Sequence, residues 1–151
     1  MLVKDNLTSS NLLSKENIIS DYRLATESRQ VSLLGRKDTM GGRSKFGIFG
    51  DGKELAQLAL ARAFQLGDFR SGYYRDQTIE AALGNLTWQQ FFAQMYAHAD
   101  IVHEPSTGGR SMNGHFSTRW LNEDGSWLDQ TKIYNSVCDI SSTAGQIPRA
   151  V

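Results

Sequence analysis

The segment "TWQQFFAQMYAHA", residues 87–99, places Trp88, Phe91, Phe92, Met95, Tyr96 and Ala99 at i, i+3, i+4, i+7, i+8 and i+11. That spacing predicts a helix with one wide aromatic face. Such a face is stable in water only when something covers it, so the chain has to supply elements that close over it. Thr87, with Gln90 three residues on, has capping-box spacing and marks the helix start. The stripe Trp88, Phe91, Phe92 and Tyr96 therefore reads as core.

Helices before this segment are available to pack on it. Ser14 can cap a helix running to about Leu34, with Ile18, Ile19, Tyr22, Ala25 and Leu33 on one side. Gly35 then begins a basic loop, "GRKDTMGGRSK", to Lys45. Leu55, Leu58, Ala59, Arg62, Ala63 and Leu66 predict a second helix over 53–65, ended by Gly67. "DFRSGYYR" reads as a strand, and residues 77–83 as a short helix stopped by Gly84. Helices interleaved with a strand point to an α/β chain rich in helix. After Asp100 comes a long Gly-rich stretch, "EPSTGGRSMNGHFSTRWLNEDGSW", of the kind that is usually functional or disordered. The chain ends in "CDISSTAGQIPRAV", where Pro148 suits the first turn of a helix. Residues 1–13 read as a mobile lead-in and 14–151 as one domain, expected to be a fragment of a longer chain.

Composition excludes several classes of function. The 151 residues carry 16 basic and 16 acidic side chains, so nothing favours a nucleic acid, which demands a basic excess. No apolar run reaches the length of a membrane span, and "MLVKDNLTSSNLLSKEN" lacks the apolar block of a signal peptide. A cytoplasmic location is expected. Cys138 is the only cysteine, so neither an internal disulfide nor a cysteine-based zinc site can form.

Four places could carry chemistry. Gly50-Asp51-Gly52, at the end of "FGIFG", reads either as an anion or metal turn at a helix start, or as plain capping and chain reversal, the commoner cause. Lys53 is followed by Glu54, so no phosphate-loop Lys-Ser/Thr pair exists. "GYYRDQT" sets Arg75 beside Tyr74, a planar fork plus a neutral donor suited to an oxyanion, or else a surface arginine on aromatic faces. "GGRSMNGHF" holds His115 near Arg110; His115 is a candidate acid or base, or a loop histidine without a role. Phe46 and Phe49 either wall a pocket or are simply buried. No histidine–carboxylate spacing suits a metal, and G-x-S-x-G does not occur.

The order and spacing of "DYRLATESRQVSLL", "FGIFGDGKELAQLALARAF", "GDFRSGYYRDQT", "LTWQQFFAQMYAHAD", "GGRSMNGHFSTR" and "DISSTAGQIPRA" resemble the N-terminal part of the alpha-type half of thiamin-diphosphate-dependent 2-oxo acid dehydrogenases. These are the decarboxylating components of the pyruvate and branched-chain complexes. The resemblance spans about 20–151, and its more specific parts are the Tyr-Arg-Asp segment and the Gln-x-Pro-x-Ala ending. It implies the N-terminal portion of a thiamin-diphosphate-binding fold with an incomplete sheet.

By that resemblance Tyr74 and Arg75 grip the cofactor diphosphate, with Tyr73 standing where branched-chain members often carry Gln. Ser141 and Thr143 meet the aminopyrimidine ring, and His115 is catalytic near the mouth of the active site. Phe46, Phe49 and Arg110 belong to the substrate pocket. Arg110-Ser111-Met112 followed by His115 leans toward the branched-chain type. "FGDGKE" resembles the family's Gly-x-Glu helix start, with Glu54 in the acidic position. The magnesium motif is expected beyond Val151. The implied partners are a beta-type half, separate or fused, a lipoyl-bearing acyltransferase and a 2-oxo acid; an oligomer is expected, and the 151 residues alone should be inactive. The alternative is a non-catalytic assembly module on the same scaffold.

Overall fold

The computed structural model describes residues 14–139. Along the chain run α1 (Lys15–Met40), α2 (Glu54–Ala63), β1 (Phe69–Gly72), α3 (Gln77–Leu83), α4 (Trp88–Met95), β2 (Phe116–Ser117), a 3-10 turn (Gln130–Lys132) and β3 (Asn135–Cys138). The fold is mixed α/β and helix-rich: four helices and a small sheet of order β1-β3-β2 among the described residues. β3 pairs in parallel with β1, Phe69 opposite Asn135, and antiparallel with β2, Phe116 opposite Cys138. A parallel pair needs a long crossover, and α3, α4 and the Gly-rich stretch provide it.

The caps read from the sequence are in place. Ser14 Oγ accepts the Asn17 N–H at 3.2 Å. Thr87 and Gln90 exchange both bonds of a capping box, and Gly84 ends α3 in the left-handed region. The faces of the first two helices differ from expectation. α1 passes through Gly35 and continues to Met40. Its buried side is Ser28, Val31, Ser32, Gly35 and Asp38, while Ile18, Ile19, Tyr22 and Leu33 lie exposed. The Phe49 ring lies against Gly35, so this glycine makes room for a neighbour and does not stop the helix. α2 buries Glu54, Gln57, Leu58 and Ala61, and Leu55 and Leu66 face outward. α4 ends at Met95, short of Ala99, where the chain turns through Ala97 at φ 54°.

Two apolar clusters form the core. Val31, Leu86, Phe91 and Phe116 pack with Phe49, Trp88 and Phe92, and Ala61, Phe64, Ile79 and Leu83 pack with Tyr134. Phe91 is fully buried, whereas Tyr96 is half exposed and uses its hydroxyl on Asp38, which also pairs with Arg43.

Polar side chains knit the helices together. Gln77 Nε2 donates to Ser28 and Ser32 on α1, and its Oε1 accepts the Gly50 N–H at 3.2 Å. Gln57 Oε1 accepts the N–H groups of Thr78 and Ile79, so a side chain of α2 caps α3 in place of Asp76. At the sheet, buried Glu80 receives Arg70, Ser136, Cys138 and Asn85. The Cys138 thiol is buried there, and burial first, then the Glu80 carboxylate, push its pKa well above the ordinary thiol value.

Gly50 packs against the Arg75 carbonyl so closely that a Cβ would collide with it. Backbone cannot yield as a side-chain end can. Gly50→Ala is therefore expected to cost about 1–3 kcal/mol in urea unfolding, since a methyl group forced into a packed site displaces its neighbours.

Candidate functional site

The cleft lies between the C-terminal end of α1, the 46–53 segment and the turn from β1 to α3. It has a volume of about 800 Å³, and its walls include Arg36, Met40, Phe46, Phe49, Asp51, Lys53, Tyr74, Arg75 and Met112. Four residues singled out in the sequence, Phe46, Phe49, Tyr74 and Arg75, thus meet in one place.

The turn carrying Tyr74 and Arg75 is rigid for identifiable reasons. Asp76 accepts the Tyr73 N–H at 2.9 Å and pairs with Arg70, anchoring the turn to β1. Gln57 Nε2 donates to the Arg75 carbonyl at 3.1 Å, on which Gly50 also packs. On the other flank Gly114, at φ 90°, approaches the Tyr74 carbonyl so closely that no larger residue fits. The Arg75 guanidinium stands 5.4 Å from the Tyr74 ring centre and 5.9 Å from that of Tyr73. Tyr73 donates its hydroxyl to Tyr74 at 2.5 Å. That bond, and then the Arg75 bond, hold the Tyr74 hydroxyl below the ordinary tyrosine pKa. With Tyr74 oxygen accepting from both neighbours, its own proton is left to give to a ligand.

The cleft is electropositive. Among the described residues, Arg36, Lys53 and Arg75 stand against the single carboxylate of Asp51, which accepts from Arg36 at 2.5 Å. Among the described residues neither Lys53 nor Arg75 forms an ion pair with a carboxylate. The opposite wall is apolar. Phe46 is half exposed, and Phe49 reaches from the cleft into the core, its ring centre 6.4 Å from that of Phe91.

Gly50-Asp51-Gly52 resolves toward chain reversal. Asp51 pairs with Arg36 and makes no cap; Glu54 closes its own turn by accepting the Gly52 N–H at 2.9 Å. Glu54 also takes a two-pronged bond from Arg29, at 2.7 and 3.0 Å, and that bond is the main cause of its lowered pKa. Among the described residues no three His, Cys, Asp or Glu side chains gather as a metal would require.

His115 lies behind the cleft, not on its surface. It is buried, and its ring stacks on Tyr74 with centres 6.4 Å apart and planes at 17°. Its Nδ1 donates to the Met112 carbonyl at 2.9 Å, which leaves Nε2 facing Asp139 at 3.8 Å. Arg110 is exposed, donates to the Thr107 carbonyl at 3.2 Å and is not part of the lining. Ser141 and Thr143 lie outside the described residues.

Residues that position the site were not singled out in the sequence. Asn113 grips both backbone groups of Ile48, accepting at 2.9 Å and donating at 2.8 Å, and so holds the Phe46–Phe49 wall against the Gly-rich stretch. Buried Glu104 accepts the N–H groups of Ser106, Thr107 and Gly109, the Thr107 hydroxyl and Gln94, which turns a glycine-rich run into one fixed loop. Polar residues between glycines resemble solvated loop residues, and only their burial sets them apart. Arg36 and Lys53 belonged to runs read as loop and helix start.

No family model matches this chain, and neither does any curated protein or solved structure.

The Glu104 anchor carries a pH signature. Burial opposes its ionisation, but the Thr107 hydroxyl and the backbone N–H groups outweigh it and hold the carboxyl below its ordinary pKa. Its contribution is therefore present above the unfolded-state pKa of about 4.3 and lost as pH falls through the lower folded value. Glu104→Gln should cost about 1–3 kcal/mol at neutral pH. Thermal melts should show the gap to the wild type closing below about pH 4.

Proposed function

We propose that this chain is the N-terminal part of the alpha-type half of a thiamin-diphosphate-dependent 2-oxo acid dehydrogenase, and that it supplies the diphosphate grip and one wall of the substrate pocket. The observation that carries the reading is the rigid Tyr74–Arg75 turn, set at an electropositive cleft whose other wall is Phe46 and Phe49. The donor set suits a diphosphate. Arg75 presents a planar fork, Tyr74 has a hydroxyl proton to give, and Lys53 adds a point charge.

The described residues do not suit the magnesium ion. Among the described residues Asp51 is the one carboxylate in the cleft, it is held by Arg36, and no metal-binding cluster accompanies it. Its ligands, like the activating glutamate, are assigned to other residues or to the beta-type partner. When bound, thiamin diphosphate supplies the carbon nucleophile that adds to the 2-carbonyl of the acid and lets carbon dioxide leave. The disulfide of the lipoyl arm would oxidise the remaining fragment and take it up as an acyl thioester, its second sulfur leaving as a thiol.

This chain's residues bind and orient. Arg75 and Tyr74 fix the diphosphate, and His115, stacked behind Tyr74 and tied to Met112, keeps that ring in place. Met40, Phe46, Ile48, Phe49 and Met112 offer apolar surface to an aliphatic side chain, which favours a branched-chain 2-oxo acid. The outward Ile18, Tyr22 and Leu55 support a chain that works against a partner surface.

In a complex reconstituted with the beta-type half, Arg75→Ala should weaken thiamin diphosphate binding about 10- to 100-fold by calorimetry, the worth of a lost charged hydrogen bond. Unchanged cofactor affinity with failed assembly would point instead to an assembly module.

A further inference from the structure

We infer that Arg36 is the residue that receives the carboxylate of the 2-oxo acid, exchanging its ion pair with Asp51 for one with the substrate. The inference rests on the function proposed above and adds a substrate-binding residue to it.

Arg36 and Asp51 both line the cleft, one from α1 and the other from the turn before α2. Their bond uses one donor, Nη2, and one acceptor, Oδ1. Among the described residues nothing engages Arg36 Nε or Nη1, so most of the fork is available to a two-pronged carboxylate contact. The pair is also open to water, with side chains 51% and 27% exposed. Exposed pairs are weak and exchange readily. Asp51 sits in a turn whose Gly52 and Lys53 are exposed, so its carboxylate can return to solvent when displaced.

Arg36 has a second anchor that does not depend on Asp51. Its guanidinium stands 5.9 Å from the Phe49 ring centre, which keeps the cation in the cleft during the exchange. The Asp51 carboxylate thus stands in for the carboxylate of a substrate whose body would rest on Met40, Phe46 and Phe49. Arg75 enters from a different element, so a diphosphate and a carboxylate can be held together. Arg110, the sequence candidate for the pocket, is exposed and outside the lining.

A double-mutant cycle in the complex with the beta-type half tests the exchange. Binding of 3-methyl-2-oxobutanoate and of inorganic pyrophosphate is titrated separately by calorimetry for the wild type, Arg36→Gln, Asp51→Asn and the double variant. Arg36→Gln should weaken the oxo acid about tenfold or more and change pyrophosphate by no more than about twofold. Asp51→Asn should tighten the oxo acid about threefold, and that gain should vanish when Arg36 is also replaced. A gain that persists in the double variant is a general charge effect and overturns the exchange. So does a loss that falls on pyrophosphate instead. If pyrophosphate binds through Arg75 while both single variants leave the oxo acid unchanged, only this inference fails. If the wild type binds neither ligand, the proposed function fails with it.

Discussion

The Arg75 carbonyl is the point on which the site depends. Gln57 donates to it from α2, and Gly50 packs on it from the turn before that helix. Gln77, two residues on, accepts from Gly50 and donates to α1. The short segment 75–77 therefore ties α1, α2 and the Gly50 turn together. Each of these amides is buried and would cost free energy if left unpaired, so loss of one partner weakens the others. The resulting rigidity is what a binding cation needs, because an arginine on a loose turn spends its attraction on being ordered.

A second constraint comes from the other side. Gly114 and Asn113 hold the Gly-rich stretch against Tyr74 and Ile48, and Glu104 holds that stretch in shape. The cleft is the gap left between two backbones, each pinned by buried polar side chains. Its charge separates into a cationic face, from Arg36, Lys53 and Arg75, and an apolar face around Phe46 and Phe49. Such a surface matches a ligand with anionic ends and an aliphatic body.

Much of the local structure was legible along the chain. Ser14, Thr87 with Gln90, and Gly84 announce helix ends through bonds made within three or four residues. The run before Tyr73 announces a strand, and the stripe of Trp88, Phe91, Phe92 and Tyr96 announces a core face, of which Tyr96 stays half exposed. The faces of α1 and α2 were not legible. Hydrophobic periodicity points to Ile18, Tyr22 and Leu55, yet the buried faces carry Ser28, Ser32, Gln57 and Glu54, because polar partners from α1, α3 and the neighbouring turns satisfy them there. Phe46, Phe49, Tyr74 and Arg75 were identified as candidates, but Arg36 and Lys53 had no motif to mark them.

Legible along the chain are the helix starts, the stop of α3 at Gly84, the aromatic face of α4 and a Tyr-Arg pair at a strand end. These follow from capping, periodicity and turn chemistry, all of which act over a few neighbouring residues. That Gly50-Asp51-Gly52 is a packing turn, that Asp51 belongs to Arg36, and that His115 lies behind Tyr74 emerge from three-dimensional packing alone. Those outcomes depend on close approaches between residues 15 to 65 positions apart. Spacing along a chain does not encode such distances; packing against a shared core does.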